Sequence, residues 1–111
     1  MNWILLDSEA RLEQLIAAST TKPQVIFKHS TRCAISSMAK SRLERNTQPA
    51  NIDFYYLDLL AHRPLSVKVA DVFKVAHESP QVLLIKQGHC VYDESHSGIR
   101  MDDIVEKAHA A

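Results

Sequence analysis

The chain has 111 residues, 46% of them hydrophobic and 23% charged, which is the length of one domain and the composition of a globular one. A second independent core, intrinsic disorder and a fibrous repeat are not expected. Thirteen Lys plus Arg balance thirteen Asp plus Glu. That leaves no overall field to hold a polyphosphate backbone or an anionic membrane surface, so neither nucleic acid nor a membrane is an expected partner.

Residues Trp3 to Leu6 read as a short first strand. This apolar run is too short for a signal peptide, has no basic start and meets Asp7 at once. With no long apolar stretch elsewhere, the expected location is the cytoplasm. Asp7 and Ser8 are N-cap types ahead of Leu12, Leu15 and Ile16, an i, i+3, i+4 stripe that predicts a helix. Thr20 to Pro23 break it, and Val25-Ile26-Phe27 reads as a buried central strand. Ile35, Met38, Ala39 and Leu43 then recur at helical spacing, so the next helix starts near Cys33 and runs to about Arg45.

Ile52 to Leu57 reads as a strand, with Phe54, Tyr55 and Tyr56 among its β-favouring residues. Pro64 suits the first turn of a helix whose apolar face is Leu65, Val69, Val72, Phe73 and Ala76. Val82 to Ile85, a turn at Lys86 to His89, and Cys90 to Tyr92 form a predicted hairpin, and Met101, Ile104, Val105 and Ala108 mark a last amphipathic helix. Strands alternating with helices and then a hairpin predict an α/β fold: a mixed central sheet of about four to five strands with helices on both faces.

Function in open α/β sheets gathers at the carboxyl ends of strands, and Cys33 stands there, where a helix begins. Free N–H groups and the helix dipole at such a start favour a thiolate over a thiol. No acid occurs between Gln14 and Leu43, whereas Lys22, Lys28, Arg32, Lys40 and Arg42 are cationic, with Arg32 adjacent to the cysteine. In the tetrad Cys33-Ala34-Ile35-Ser36 a hydroxyl stands where a dithiol redoxin has its resolving cysteine. Ser36 can donate a hydrogen bond to the thiolate and cannot resolve a mixed disulfide, so a second thiol must come from outside. The only other cysteine, Cys90, falls on the outer hairpin and reads as a packed structural thiol; two cysteines make no disulfide framework, which fits a reducing compartment.

The element order resembles the thioredoxin fold, and four segments narrow the likeness: Lys28 to Ser36, Tyr56 to Leu59, His77 to Gln81 and Ser95 to Ile99. In order and spacing they resemble the YtxJ-type proteins of the bacillithiol system, also called monothiol bacilliredoxins. The resemblance implies a single thioredoxin-like domain over residues 1–111 and a thiol-disulfide oxidoreductase that removes bacillithiol or a similar low-molecular-weight thiol from protein mixed disulfides. Cys33 and Ser36 would be the catalytic pair. Arg32, Ser79 and Pro80 would bind substrate, with a cis bond before Pro80 and the Ser79 backbone open to an extended thiol substrate. The small thiol would be a co-substrate, no cofactor would be tightly bound, and a free thiol or another redoxin would act as reductant. Family members often carry proline directly after the cysteine, where this chain has Ala34.

Other readings fit the residues less well. The six histidines form no paired ligand spacing with either cysteine, so no metal is expected. Monothiol glutaredoxins, which hold an iron–sulfur cluster with a similar cysteine, carry a Gly-Phe pair that is absent here. A cysteine hydrolase would need a histidine beside Cys33 and an oxyanion hole. The rival of a different class is a redox-silent module that binds an extended segment around Pro80, with Cys33 incidental.

Overall fold

The computed structural model describes residues 1–110 and orders its elements as β1 (Trp3–Leu5), α1 (Glu9–Ala18), β2 (Gln24–His29), α2 (Ala34–Glu44), β3 (Asp53–Asp58), α3 (Arg63–Phe73), β4 (Gln81–Lys86), β5 (His89–Ser95) and α4 (Met101–His109). The five strands form one sheet in the order β1-β3-β2-β4-β5. β3 pairs in parallel with β1 and β2, whereas β4 runs antiparallel to both β2 and β5. The sheet is therefore mixed, as the alternation followed by a hairpin predicted.

The two-residue period of the strands sorts the core into two layers. Val25 and Phe27 of β2, Phe54 of β3 and Val82 and Leu84 of β4 share one cluster with Ala39 and Leu43 of α2 and Ile104 and Ala108 of α4. Ile26, Tyr55, Leu57, Leu83 and Ile85 point the other way, onto Leu12 and Leu15 of α1 and Leu65, Val69 and Phe73 of α3. Buried side chains of this size contribute about 1.5–3 kcal/mol each, so the layers fix the sheet between two pairs of helices. Trp3 belongs to the first layer, stacked on Phe27 at 5.5 Å between ring centroids while its indole N–H donates to Glu44 at 2.8 Å.

The same alternation continues past the apolar part of β2, where the sequence predicted no strand. Lys28 and His29 are buried and belong to it. As neighbours in a strand they face opposite layers: Lys28 Nζ donates to the Ser66 carbonyl of α3 at 3.3 Å, and His29 Nδ1 meets Ser36 Oγ of α2 at 2.6 Å.

Two further expectations are corrected. Ile35 and Met38 are not core residues but stand 56% and 62% exposed, because α2 packs through Ser36, Ala39 and Leu43. Ala76 lies outside α3, which stops at Phe73 when Lys74 turns left-handed (φ 57°) and the Val75 N–H closes on the Ala70 carbonyl. The cap of α1 is as expected, with Ser8 accepting from the Arg11 N–H at 3.1 Å.

Candidate functional site

Cys33 is the N-cap of α2. Its backbone is extended, its N–H donates to the Ser30 carbonyl at 3.1 Å, and its own carbonyl accepts the Ser37 N–H at 3.0 Å. Such a position normally holds an oxygen that satisfies first-turn N–H groups. Here it holds a sulfur that makes no capping hydrogen bond, so side chain and helix end meet without being tied together.

The sulfur-bearing residue opens on a cavity of about 390 Å³ at the carboxyl ends of β2 and β3, the size of a pocket that encloses a small organic molecule. Ser30 comes with Cys33 from the β2–α2 connection and Leu59 and Leu60 from the β3–α3 connection; Arg63, Ser66 and Val67 project from α3, and His77 and Ser79 from the loop before β4. That loop is held from inside. Gln81 is buried, its amide donates to the Ala76 carbonyl at 3.1 Å, and its carbonyl oxygen accepts the Glu78 N–H at 3.4 Å. The Ser79-Pro80 bond is cis, as the resemblance implied; Ser79 shares the cavity with Cys33, while Pro80 lies buried behind it.

Ser36 is fully buried and faces the sheet rather than the cavity. Its oxygen accepts the Ser30 N–H at 3.1 Å and lies 2.6 Å from His29 Nδ1. The hydroxyl expected beside the thiolate thus joins the Cys33 loop to β2 through two other partners. Burial, followed by the charge of Lys40, pushes the His29 imidazolium form down below its ordinary range, so this partner is neutral near pH 7. A strand-to-helix pair of this kind has no fixed sequence spacing, which is why His29 was not singled out.

The cations crowded around Cys33 in sequence disperse in space. Lys22 pairs with Asp53 at 2.9 Å and Lys40 with Glu44 at 2.8 Å, and Arg42 donates to the carbonyls of Ile99 and His96. Arg32 is exposed and outside the cavity lining. The cations that do belong to the cavity are Arg63, in its lining, and Lys28, one layer behind. Lys28 Nζ contacts the lining residues Ser66 and His77, each at 3.3 Å, and burial lowers its pKa to about 8. Arg63 was missed, although the rule that ligands gather between strand ends and helix starts pointed at it: it opens α3 just after β3.

Cys90 is far from all of this. It pairs with Ile85, which pairs with Gln24, the first residue of β2. The length of β2, about 16 Å at 3.3 Å per residue, separates that end of the sheet from the one carrying Cys33. A disulfide needs Cα atoms within about 7 Å, so the two cysteines cannot be bridged within one folded chain. Among the described residues no group of three or more His, Cys, Asp or Glu is placed to hold a metal ion, and no helix is long and apolar enough to cross a membrane.

Comparison with solved structures gives the same architecture. The chain is similar to a thioredoxin-fold protein put forward as an oxidoreductase, with 31% identity and a TM-score of 0.82 over 94% of this chain and 91% of that one. It matches the thioredoxin Mala s 13 of Malassezia sympodialis at 15% identity and a TM-score of 0.78 over 96% and 91% of the two chains, and the thioredoxin of Fasciola hepatica at 19% and 0.75 over 93% and 97%. At that identity the thioredoxins speak for the fold alone. Residues 4–104 match the family model of the monothiol bacilliredoxin BrxC, and with that match, the fold and the cysteine at the start of α2, the chain belongs to the monothiol bacilliredoxin family.

Proposed function

We propose that this protein is a monothiol thiol-disulfide oxidoreductase that removes bacillithiol-type low-molecular-weight thiols from protein mixed disulfides, with Cys33 as the nucleophile. One observation carries the reading: the cysteine at the helix start opens on a cavity, and the only other cysteine is at the opposite end of the sheet.

The Cys33 thiolate attacks the sulfur of the small thiol, forming a Cys33–small-thiol disulfide and breaking the bond to the target cysteine. The target leaves as a thiolate and takes a proton from solvent; the number of disulfides does not change. A second small thiol, or the thiol of another redoxin, then attacks the adduct and releases Cys33. Serine at position 36 cannot perform that step, so the adduct persists until an external thiol arrives. The exposed Leu60 and Val67 at the cavity and the exposed Ile35 and Met38 along α2 give a target protein apolar surface to rest on.

The test is a single-cysteine peptide carrying bacillithiol as a mixed disulfide, with release followed by mass spectrometry. The protein should free the peptide and acquire one bacillithiol on Cys33. Recovery of unmodified protein and intact substrate would favour a redox-silent binding module.

A further inference from the structure

We infer that His29 is a positioning residue of the exchange: its imidazole takes the hydroxyl proton of Ser36, a bond that latches the loop presenting Cys33, and a proton gained by the ring itself opens the latch. This rests on the reaction proposed above and adds to it a residue outside the Cys33 cavity and a dependence on acid.

Ser30 is the hub of the loop. Its carbonyl accepts the Cys33 N–H at 3.1 Å and its own N–H donates to Ser36 Oγ at 3.1 Å, so residues 30–36 are closed on themselves with Cys33 inside the ring. Ser36 Oγ has one proton to give, and among the described residues its other partner is His29 Nδ1 at 2.6 Å. The oxygen therefore accepts from Ser30 and donates to His29, which puts the proton of the neutral imidazole on Nε2. The ring is held in place: it is buried, stacked on Phe27 at 5.6 Å between centroids and tilted against Tyr56 at 5.4 Å.

A protonated ring reverses that bond. Both nitrogens of an imidazolium donate, so Nδ1 and the Ser36 hydroxyl would each aim a hydrogen at the other, and the hydroxyl proton would be left in a buried site without an acceptor. The surroundings favour the neutral ring. Burial acts first and the Lys40 ammonium of α2 second, and together they outweigh the Asp58 carboxylate of β3, the backbone of Ser36 and the Glu44 carboxylate of α2; the Tyr56 phenol of β3 stays uncharged beside them. No carboxylate pairs with His29 among the described residues. A second cavity, of about 370 Å³, has His29, Thr31 and Lys40 in its wall and shares no lining residue with that of Cys33. The loop thus stands between two cavities, Ser30 and Cys33 lining one and Thr31 the other, and a proton reaches His29 without crossing the substrate site.

The experiment uses the full chain and release of bacillithiol from a mixed-disulfide peptide. His29→Asn puts an oxygen that takes no proton where Nδ1 stands, and His29→Leu removes the acceptor. At about pH 7.5 the Asn variant should keep the rate within about threefold, and the Leu variant should lose about tenfold or more, as expected for a reacting group displaced by less than about 1 Å. Ser36→Ala cuts the same bond from the other side and should lose as much, which keeps the test open if His29→Leu does not fold. In acid, the rate of the unsubstituted protein divided by that of His29→Asn cancels the titration of Cys33 itself. This ratio should fall with the midpoint that NMR gives for the His29 ring, by about tenfold one pH unit below it. A Leu or Ala variant as fast as the unsubstituted protein, an Asn variant as slow as either of them, or a ratio that stays flat with pH would each overturn the inference and leave the exchange reaction standing. No release by the unsubstituted protein would remove the reaction itself, and the inference with it.

Discussion

The two cysteines are the same side chain at opposite ends of one sheet, and the ends give them different chemistry. Cys33 caps a helix, lines a cavity and has no capping hydrogen bond to hold its sulfur. Cys90 sits on an edge strand, where its thiol donates to the Tyr92 carbonyl at 3.4 Å and burial pushes its pKa up. Exchange needs a thiolate with access to a second sulfur. One end of the sheet provides access; the other holds the proton on.

The widest gap between them should appear in catalysis. Cys33→Ser is expected to abolish release of a small thiol from a mixed-disulfide peptide, and Cys90→Ser to leave the rate within about twofold of the unsubstituted protein. Loss of activity in the second variant, or its survival in the first, would break the contrast.

A smaller effect tests the buried charge behind the cavity. Lys28 has a folded-state pKa of about 8, below the 10.5 of an exposed lysine. Between these values the unfolded chain binds the proton and the folded one does not, so stability rises as pH climbs through about 8. Relative to Lys28→Met, the protein should gain up to about 2 kcal/mol between pH 7 and pH 9.5 in denaturant titrations. A difference that stays flat with pH would show that the ammonium is not buried.

Ser36→Ala should cost about 1–3 kcal/mol, since it leaves the Ser30 N–H and His29 Nδ1 without the hydroxyl between them. That corresponds to a fall in Tm of about 4 °C or more by calorimetry. An unchanged Tm would mean that the serine does not anchor the Cys33 loop. Smallest of all, Cys90→Ala should cost about 1 kcal/mol, as loss of one half-buried small side chain.

The fold was legible in the sequence because strand and helix periods are local. Val25, Phe27 and their neighbours in β3 and β4 alternate, and the stripe Leu65, Val69 and Phe73 marks α3. Legibility stopped where an ending depends on one backbone angle, as at Lys74, or where an apolar residue is spent on the surface, as at Ile35 and Met38. For the site, Cys33 could be placed from its strand-to-helix position, and the neighbourhood of Ser79 from the resemblance. The electrostatics could not be read in the same way. Nearness in sequence put Arg32 beside the cysteine, whereas the connection into α3 brings Arg63 to the cavity from thirty positions on. Pairings such as Lys28 with His77, or His29 with Ser36, join separate elements and exist only once the strand has turned its neighbours to opposite faces.

The most direct measurement is the intact mass of the protein, followed by peptide mapping, after incubation with an excess of a low-molecular-weight disulfide such as bacillithiol disulfide. The account predicts one small-thiol adduct, on Cys33, that persists until a free thiol is added. A loss of two hydrogens with a Cys33–Cys90 cross-link inside one chain, or an adduct on Cys90 with Cys33 untouched, would contradict it.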